Sequence, residues 1–150
     1  MRPSRQRRRG ETDPMGYHML RDFHVALAFA VFALSIGLSV GAWRLRRDRV
    51  LPIGFWRWQA VMQILVLILV ASGATLYLLS FRPKDPLHFL YGILALLTIG
   101  LERGLMPGHG LRAVISQNYG RFHEVWIYFG LSIFLVLMFG RGITTGLWRF

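Results

Sequence analysis

Residues 85–102, DPLHFLYGILALLTIGLE, decide the fold, because an apolar segment here carries a histidine, small residues and a carboxylate at helical spacing. Asp85 is predicted to cap a helix that begins at Pro86, since aspartate accepts bonds from free N–H groups and proline has none to satisfy. At about 100° per residue, one face then carries His88, Gly92, Ala95, Ile99 and Glu102. A helix that is apolar elsewhere is predicted to lie in lipid and to turn this face toward other helices.

The bulk composition agrees with a membrane location. The chain has 150 residues, of which 54% are hydrophobic, so it has room for one domain and is too apolar for a soluble protein of this size. It contains no cysteine, which excludes disulfides, thiolate chemistry, iron–sulfur clusters and cysteine-ligated zinc. Histidine is the soft ligand that remains. The sequence therefore predicts an integral membrane protein.

The strong positive charge does not indicate a nucleic-acid-binding protein. The formal charge is +11, but the Lys and Arg residues occur in the N-terminal tail, the short loops and the ends of apolar segments. Basic residues take these positions where a membrane protein meets anionic lipid. No recognition helix or aromatic-interleaved basic module is present, so we expect the lipid bilayer, and no nucleic acid, as a partner.

Four apolar segments are long enough to cross a hydrocarbon core of about 30 Å. The predicted spans are about 23–43, 60–81, 86–106 and 122–140. Breakers and a short apolar pattern between the third and fourth spans predict a short interfacial helix. The fold class is therefore an all-α, four-helix transmembrane bundle with up-down-up-down topology over 18–150. Residues 1–17, which begin with five arginines and no acid in the first ten positions, are predicted to form a disordered basic arm.

Four crossings put both termini on one side of the membrane, called the terminal side below. The basic residues divide almost evenly between the two sides, so the positive-inside rule alone barely selects an orientation. Because a dense arginine tail is hard to carry across a membrane, we expect cytoplasmic termini in a bacterial-type plasma (inner) membrane.

Two histidines are placed to share a ligand. The first and third spans run parallel in such a bundle, so His24 and His88, each near the start of its span, should lie at similar depth. Two histidines on facing helices can bind a haem iron from both faces. Ala28 and Gly92, each one turn deeper, leave room for a porphyrin edge. The pair therefore predicts axial ligands for the iron of haem b.

The histidines could instead have a purely structural role at the membrane interface. Histidine is amphipathic and is tolerated at membrane interfaces, where Asp22 could satisfy His24 and Glu124 could satisfy His123 without a metal. His109 and His123 fall on the opposite side, where a second ligand pair is conceivable.

A second polar group and a packing motif complete the candidate residues. Glu102, His123 and Glu124 should lie together on the opposite side, where they could pass protons or hold a quinone headgroup, or simply form a salt-bridged network at helix ends. Gly37 and Gly41 form a GxxxG motif suited to close helix packing.

The function that these patterns favour is a small accessory or scaffold subunit. It would pack against other membrane-protein subunits in an energy-converting complex of respiratory or photosynthetic electron transfer. The alternative is a b-type haem electron-transfer protein that uses His24 and His88 and exchanges electrons with quinone or a cytochrome. No self-contained catalytic constellation is present, so an enzyme is not expected.

Overall fold

The computed structural model describes residues 14–48, 50–79, 83, 85–119 and 123–147. These residues form five α-helices: α1 (Pro14–Arg44), α2 (Ile53–Leu78), α3 (Leu87–Gly104), α4 (Gly110–Tyr119) and α5 (Glu124–Leu147). The helices α1, α2, α3 and α5 are long and apolar enough to cross a membrane. The predicted all-α fold with four candidate spans is therefore confirmed, and the short helix α4 lies between the third and fourth spans as expected.

The four long helices surround a common interior. Helix α1 packs along α2 and α5, α3 packs along α5, and the contact between α2 and α3 is shorter. Helices α1 and α3 make no close backbone contact, so they lie diagonally across the bundle from each other. Parallel helices on a diagonal can face one another across the interior, and this arrangement positions the site described below.

The distribution of polar groups is that of a protein in lipid. Large aliphatic side chains point outward, including Leu78 and Leu97, which are 81% and 64% exposed. Conversely, polar side chains are buried on every spanning helix, as with Ser35, Gln59, Glu102 and Ser132. Membrane helices place polar groups inside because lipid offers them no hydrogen-bonding partner. The outer surface is therefore suited to contact with the bilayer.

Helix α3 begins at Leu87, one residue after the predicted start, and has Pro86 in the N-cap position. Asp85 still binds the start of the helix, because the backbone N–H of Leu87 donates to its Oδ1 at 2.9 Å. Ala95, Ile99 and Glu102 are fully or almost fully buried, and His88 and Gly92 are half-buried.

The first and last long helices, α1 and α5, extend beyond the predicted spans. Helix α1 begins at Pro14, inside the range 1–17 assigned to the basic arm, whereas 1–13 lie outside the described residues. At about 1.5 Å per residue it is about 46 Å long, which exceeds the hydrocarbon core, so its first turns project beyond it. Helix α5 continues past the predicted end at 140 to Leu147. This extension supplies one wall of the candidate site.

The GxxxG motif faces away from the bundle interior. Gly37 is exposed and Gly41 half-buried, and a Cβ added at either would meet no atom within 4 Å in the described chain. Close packing through this motif stays a prediction that would involve a second chain.

Candidate functional site

The structure brings His24 and His88 together. His24 lies on α1 and His88 in the first turn of α3, and their ring centres are 6.3 Å apart with planes inclined at 55°. The rings are close without being stacked. Two imidazoles from diagonal helices therefore face the same space at the terminal side of the bundle.

Helix α2 fixes the orientation of the His24 ring. Nδ1 of His24 lies 2.9 Å from Oγ of Ser72, and the Ser72 hydroxyl donates to the carbonyl of Leu69 at 2.8 Å. With its proton directed to that carbonyl, Ser72 can accept a hydrogen bond from His24; in this arrangement the ring proton is on Nδ1 and the Nε2 lone pair is free. A Cβ at Gly73 would lie 2.9 Å from Cε1 of His24, so glycine is needed beside the ring.

Helix α5 provides the corresponding support for His88. A Cβ at Gly146 would lie 3.5 Å from Cε1 of His88, an ordinary van der Waals contact, so this position is next to the ring. Nδ1 of His88 is buried and makes no hydrogen bond within the described residues, and the backbone of Gly142 lies near the ring. Each histidine ring thus lies beside a glycine of a neighbouring helix.

A cavity of about 430 Å³ lies between the four long helices and includes both rings in its wall. This volume is within the range of small-molecule and cofactor sites, about 300–1,000 Å³. The wall is almost entirely apolar and is made mostly of aliphatic and aromatic side chains, among them Phe29, Tyr77 and Phe139. Every long helix also contributes glycine or alanine to it, namely Ala28, Gly73, Ala74, Gly92, Ala95, Gly142 and Gly146. The two histidines and Arg21 are thus polar groups in a largely apolar chamber.

The acidic neighbour proposed for His24 has another partner. Arg21 binds Asp22 through a salt bridge of 3.0 Å, and His24 bonds to Ser72 instead. The expectation that Asp22 satisfies the His24 ring is therefore wrong, because Asp22 points to the exposed surface of α1. Arg21 also lines the cavity, where it is the only Lys or Arg among the described wall residues.

At the opposite side, Glu102 is enclosed by α2 and α5. It is fully buried, and its Oε2 accepts a hydrogen bond from Nε2 of Gln59. The Tyr128 hydroxyl donates to the backbone carbonyl of Glu102 at 2.6 Å. The carboxyl group makes no ion pair with any described residue.

Glu124 belongs to a separate set of contacts. Its Oε2 lies 2.5 Å from Nη1 of Arg112, and its Oε1 accepts a hydrogen bond of 2.7 Å from the backbone N–H of Leu51. This carboxylate, placed in the first turn of α5 where the helix dipole favours it, joins α4 and the α1–α2 loop to α5. For Glu124, these contacts form a salt-bridged network at helix ends, which is one of the two alternatives given by the sequence.

The histidines on this side do not join either set. His123 is exposed and His109 half-buried, and within the described chain they make no ring contact with each other. Glu124 does not satisfy His123, since its oxygens are used by Arg112 and Leu51. The predicted cluster of Glu102, His123 and Glu124 is therefore divided in the structure.

Several residues of both sites escaped the sequence reasoning. Gly142 and Gly146 lie beyond the predicted end of the fourth span, and the Thr-rich segment around them gave no sign that the helix continues. Gln59 precedes the predicted second span by one residue, and Tyr128 lies near the start of the fourth, where aromatic residues are common at the membrane interface. Ser72 lies inside the second span, and its hydroxyl, at the depth of a histidine on a neighbouring helix, is a usable signal.

Comparison of the chain with protein-family models, with curated proteins and with solved structures finds no match.

Proposed function

We propose that this protein is a b-type haem electron-transfer protein in which His24 and His88 are the axial ligands. The separation of the two rings carries the proposal. An imidazole nitrogen binds a metal at about 2 Å and the ring centre lies about 1 Å behind it, so two axial imidazoles on one iron have centres about 6 Å apart. The centres of His24 and His88 are 6.3 Å apart.

The number of ligands favours haem over a bare metal ion. The described residues contain no group of three or more histidine, aspartate or glutamate side chains able to hold a metal. Structural and catalytic zinc sites use three or four protein ligands, whereas a porphyrin supplies four nitrogens of its own and leaves two positions to the protein. A two-histidine site therefore suits an iron porphyrin.

The hydrogen bond to Ser72 also supports ligation. Metal-binding histidines usually donate their second N–H to a protein acceptor, which fixes the tautomer and increases the basicity of the ligating nitrogen. Nδ1 of His24 makes this bond, so Nε2 is available for iron.

The cavity wall suits the rest of the cofactor. Glycine and alanine on all four long helices provide room for a flat ring, and the surrounding aromatic and aliphatic side chains match its apolar faces. Arg21 would pair with a propionate. Its present bond to Asp22 is exposed to solvent, where an ion pair contributes at most about 1 kcal/mol, so the arginine can change partners at little cost.

The haem would exchange electrons at the terminal side, with quinone or a cytochrome as partner. A role as a subunit of a larger energy-converting complex is compatible with this activity and is supported by the outward-facing GxxxG motif of Gly37 and Gly41. The membrane would be a bacterial-type plasma membrane with cytoplasmic termini, as the arginine-rich tail suggests.

The test is a haem titration of the full chain purified in detergent, followed by visible spectroscopy of the oxidised and reduced forms. We expect saturation at one haem per chain and the sharp α band of six-coordinate, low-spin iron on reduction. Folded protein that shows no such band with excess haem would overturn the proposal and leave the scaffold role as the better account.

Replacement of Ser72 by alanine should weaken haem binding by roughly 10–100-fold, the usual effect of losing a hydrogen bond to a metal-binding histidine. It should also raise the midpoint potential, because a less basic imidazole stabilises ferric iron less. Equilibrium haem titration and a redox titration measure the two effects.

The matched control for Ser72→Ala is Ser39→Ala. Ser39 is a buried serine of α1 whose hydroxyl donates to the backbone of its own helix, so its loss should leave both quantities unchanged. Equal haem affinity and potential in Ser72→Ala and Ser39→Ala would show that Ser72 does not position His24.

A further inference from the structure

The half of the bundle farthest from the histidines has a polar interior. At about 1.5 Å per residue, Glu102 lies about 21 Å along α3 from His88. Gln59 and Tyr128 are held at the depth of Glu102 by the hydrogen bonds described above. One helical turn nearer the histidines, α2 contributes Gln63 and α5 contributes Ser132, and both are at least nine-tenths buried. Buried polar side chains thus occupy two successive turns.

An apolar layer separates this region from the histidines. Val31, Val66, Ala95 and Leu135, one from each long helix, are buried between the two levels. The polar region is therefore a feature distinct from the proposed haem site, and it lies toward the opposite side of the membrane.

The polar region contains four hydrogen-bonding atoms that the protein does not satisfy. Within the described residues these buried atoms have no partner: Oε1 of Gln59, Nε2 of Gln63, Oε1 of Glu102 and Oγ of Ser132. Burial of a polar atom without a hydrogen bond in an apolar medium raises the free energy of the folded protein by several kcal/mol. The set comprises an amide oxygen that accepts, an amide N–H group that donates, a hydroxyl that can do both, and a carboxyl oxygen that accepts when ionised and donates when protonated; water is the ligand that satisfies such a mixture.

The charges around Glu102 do not favour an ionised carboxylate. From α2 it faces the neutral amide of Gln59, and from α5 it faces Tyr128, whose hydroxyl is bonded to the Glu102 backbone. Farther along α5, Glu124 is a further acid, and the cation of Arg112 is bound to it. The neighbouring Arg103 is exposed on the outer face of α3. A buried carboxyl group without a cation is stable when it carries a proton.

We propose that Glu102, Gln59, Gln63 and Ser132 form a hydrated proton-binding site in the opposite half of the bundle. Water bridges the four unsatisfied atoms, and the Glu102 carboxyl group carries a proton that exchanges with this water. In the exchange, a hydronium ion protonates the carboxylate and becomes water, and the reverse step releases the proton. The site would serve as a proton reservoir in this half of the bundle.

Infrared spectroscopy of the full chain in lipid vesicles tests this site without reference to haem. We expect a carboxylic-acid C=O band that is lost in Glu102→Gln and that shifts when H₂O is replaced by D₂O. Glu124→Gln is the control, because its carboxylate is paired with Arg112 and should contribute no such band. A band that is absent from the folded wild type, or that does not shift in D₂O, would overturn the proposal.

Two further variants test the water-bridged set itself. Ser132→Ala and Gln63→Leu should change the position of the Glu102 band and slow its exchange in D₂O, since each removes an anchor for water. Ser39→Ala, which removes a buried hydroxyl already bonded to its own helix, should leave both unchanged. If Ser132→Ala and Gln63→Leu behave as the wild type does, Glu102 is enclosed in a sealed structural network and the proposed site is wrong.

Discussion

Replacement of either His24 or His88 by alanine will abolish the low-spin haem spectrum. A six-coordinate iron needs both imidazoles, so removal of one leaves a five-coordinate, high-spin iron and removal of both leaves no protein ligand. Loss of an outer partner of a ligating histidine already weakens metal binding by about 10–100-fold, so loss of the ligand itself should exceed about 100-fold. Haem titration and reduced-minus-oxidised visible spectra of each variant provide the measurement.

His18→Ala is the matched control for these variants. His18 lies on α1 as His24 does, but it is exposed and outside the cavity wall, so its loss should leave the spectrum intact. Circular dichroism would establish that the helices form in every variant. A sharp α band that persists in folded His24→Ala or His88→Ala would refute ligation by that histidine.

The spans and the histidine pair could be predicted because both depend on local periodicity. A run of about twenty apolar residues reports a membrane helix regardless of its neighbours. The face of α3 that carries His88 and Glu102 followed from helical geometry alone; Ala95, Ile99 and Glu102 on it are buried, and His88 and Gly92 are half-buried. The matched depth of His24 and His88 followed from counting spans.

The walls of the site could not be predicted in the same way, because they depend on which helices become neighbours. Nothing in the sequence indicates that α3 packs along α5, which is what places Gly146 beside His88. Likewise, Gln59 and Glu102 are far apart in sequence and meet only once α2 and α3 are assembled. Pairing of side chains across helices is a tertiary property that a hydropathy pattern does not contain.

Replacement of Gly92 by leucine should eliminate haem binding while stabilising the helix bundle. Gly92 lies one turn from His88 and lines the cavity, and a Cβ added there would meet no atom within 4 Å. The leucine side chain would therefore fill the space assigned to the porphyrin edge. Leucine in place of glycine also favours a helix, by up to about 0.8 kcal/mol. Haem titration and thermal unfolding monitored by circular dichroism should change in opposite senses.

A loss of haem binding together with a gain in thermal stability distinguishes a cofactor cavity from a packing defect. Gly100→Leu is the matched control, because Gly100 is on the same helix, is exposed and has the same open surroundings. It should raise helix stability similarly and leave haem binding unchanged. Full haem affinity in Gly92→Leu would mean that the cavity is not the porphyrin site, even if the histidines bind iron. Loss of haem binding in Gly92→Leu but not in Gly100→Leu would show that the cavity accommodates the haem that His24 and His88 are proposed to bind.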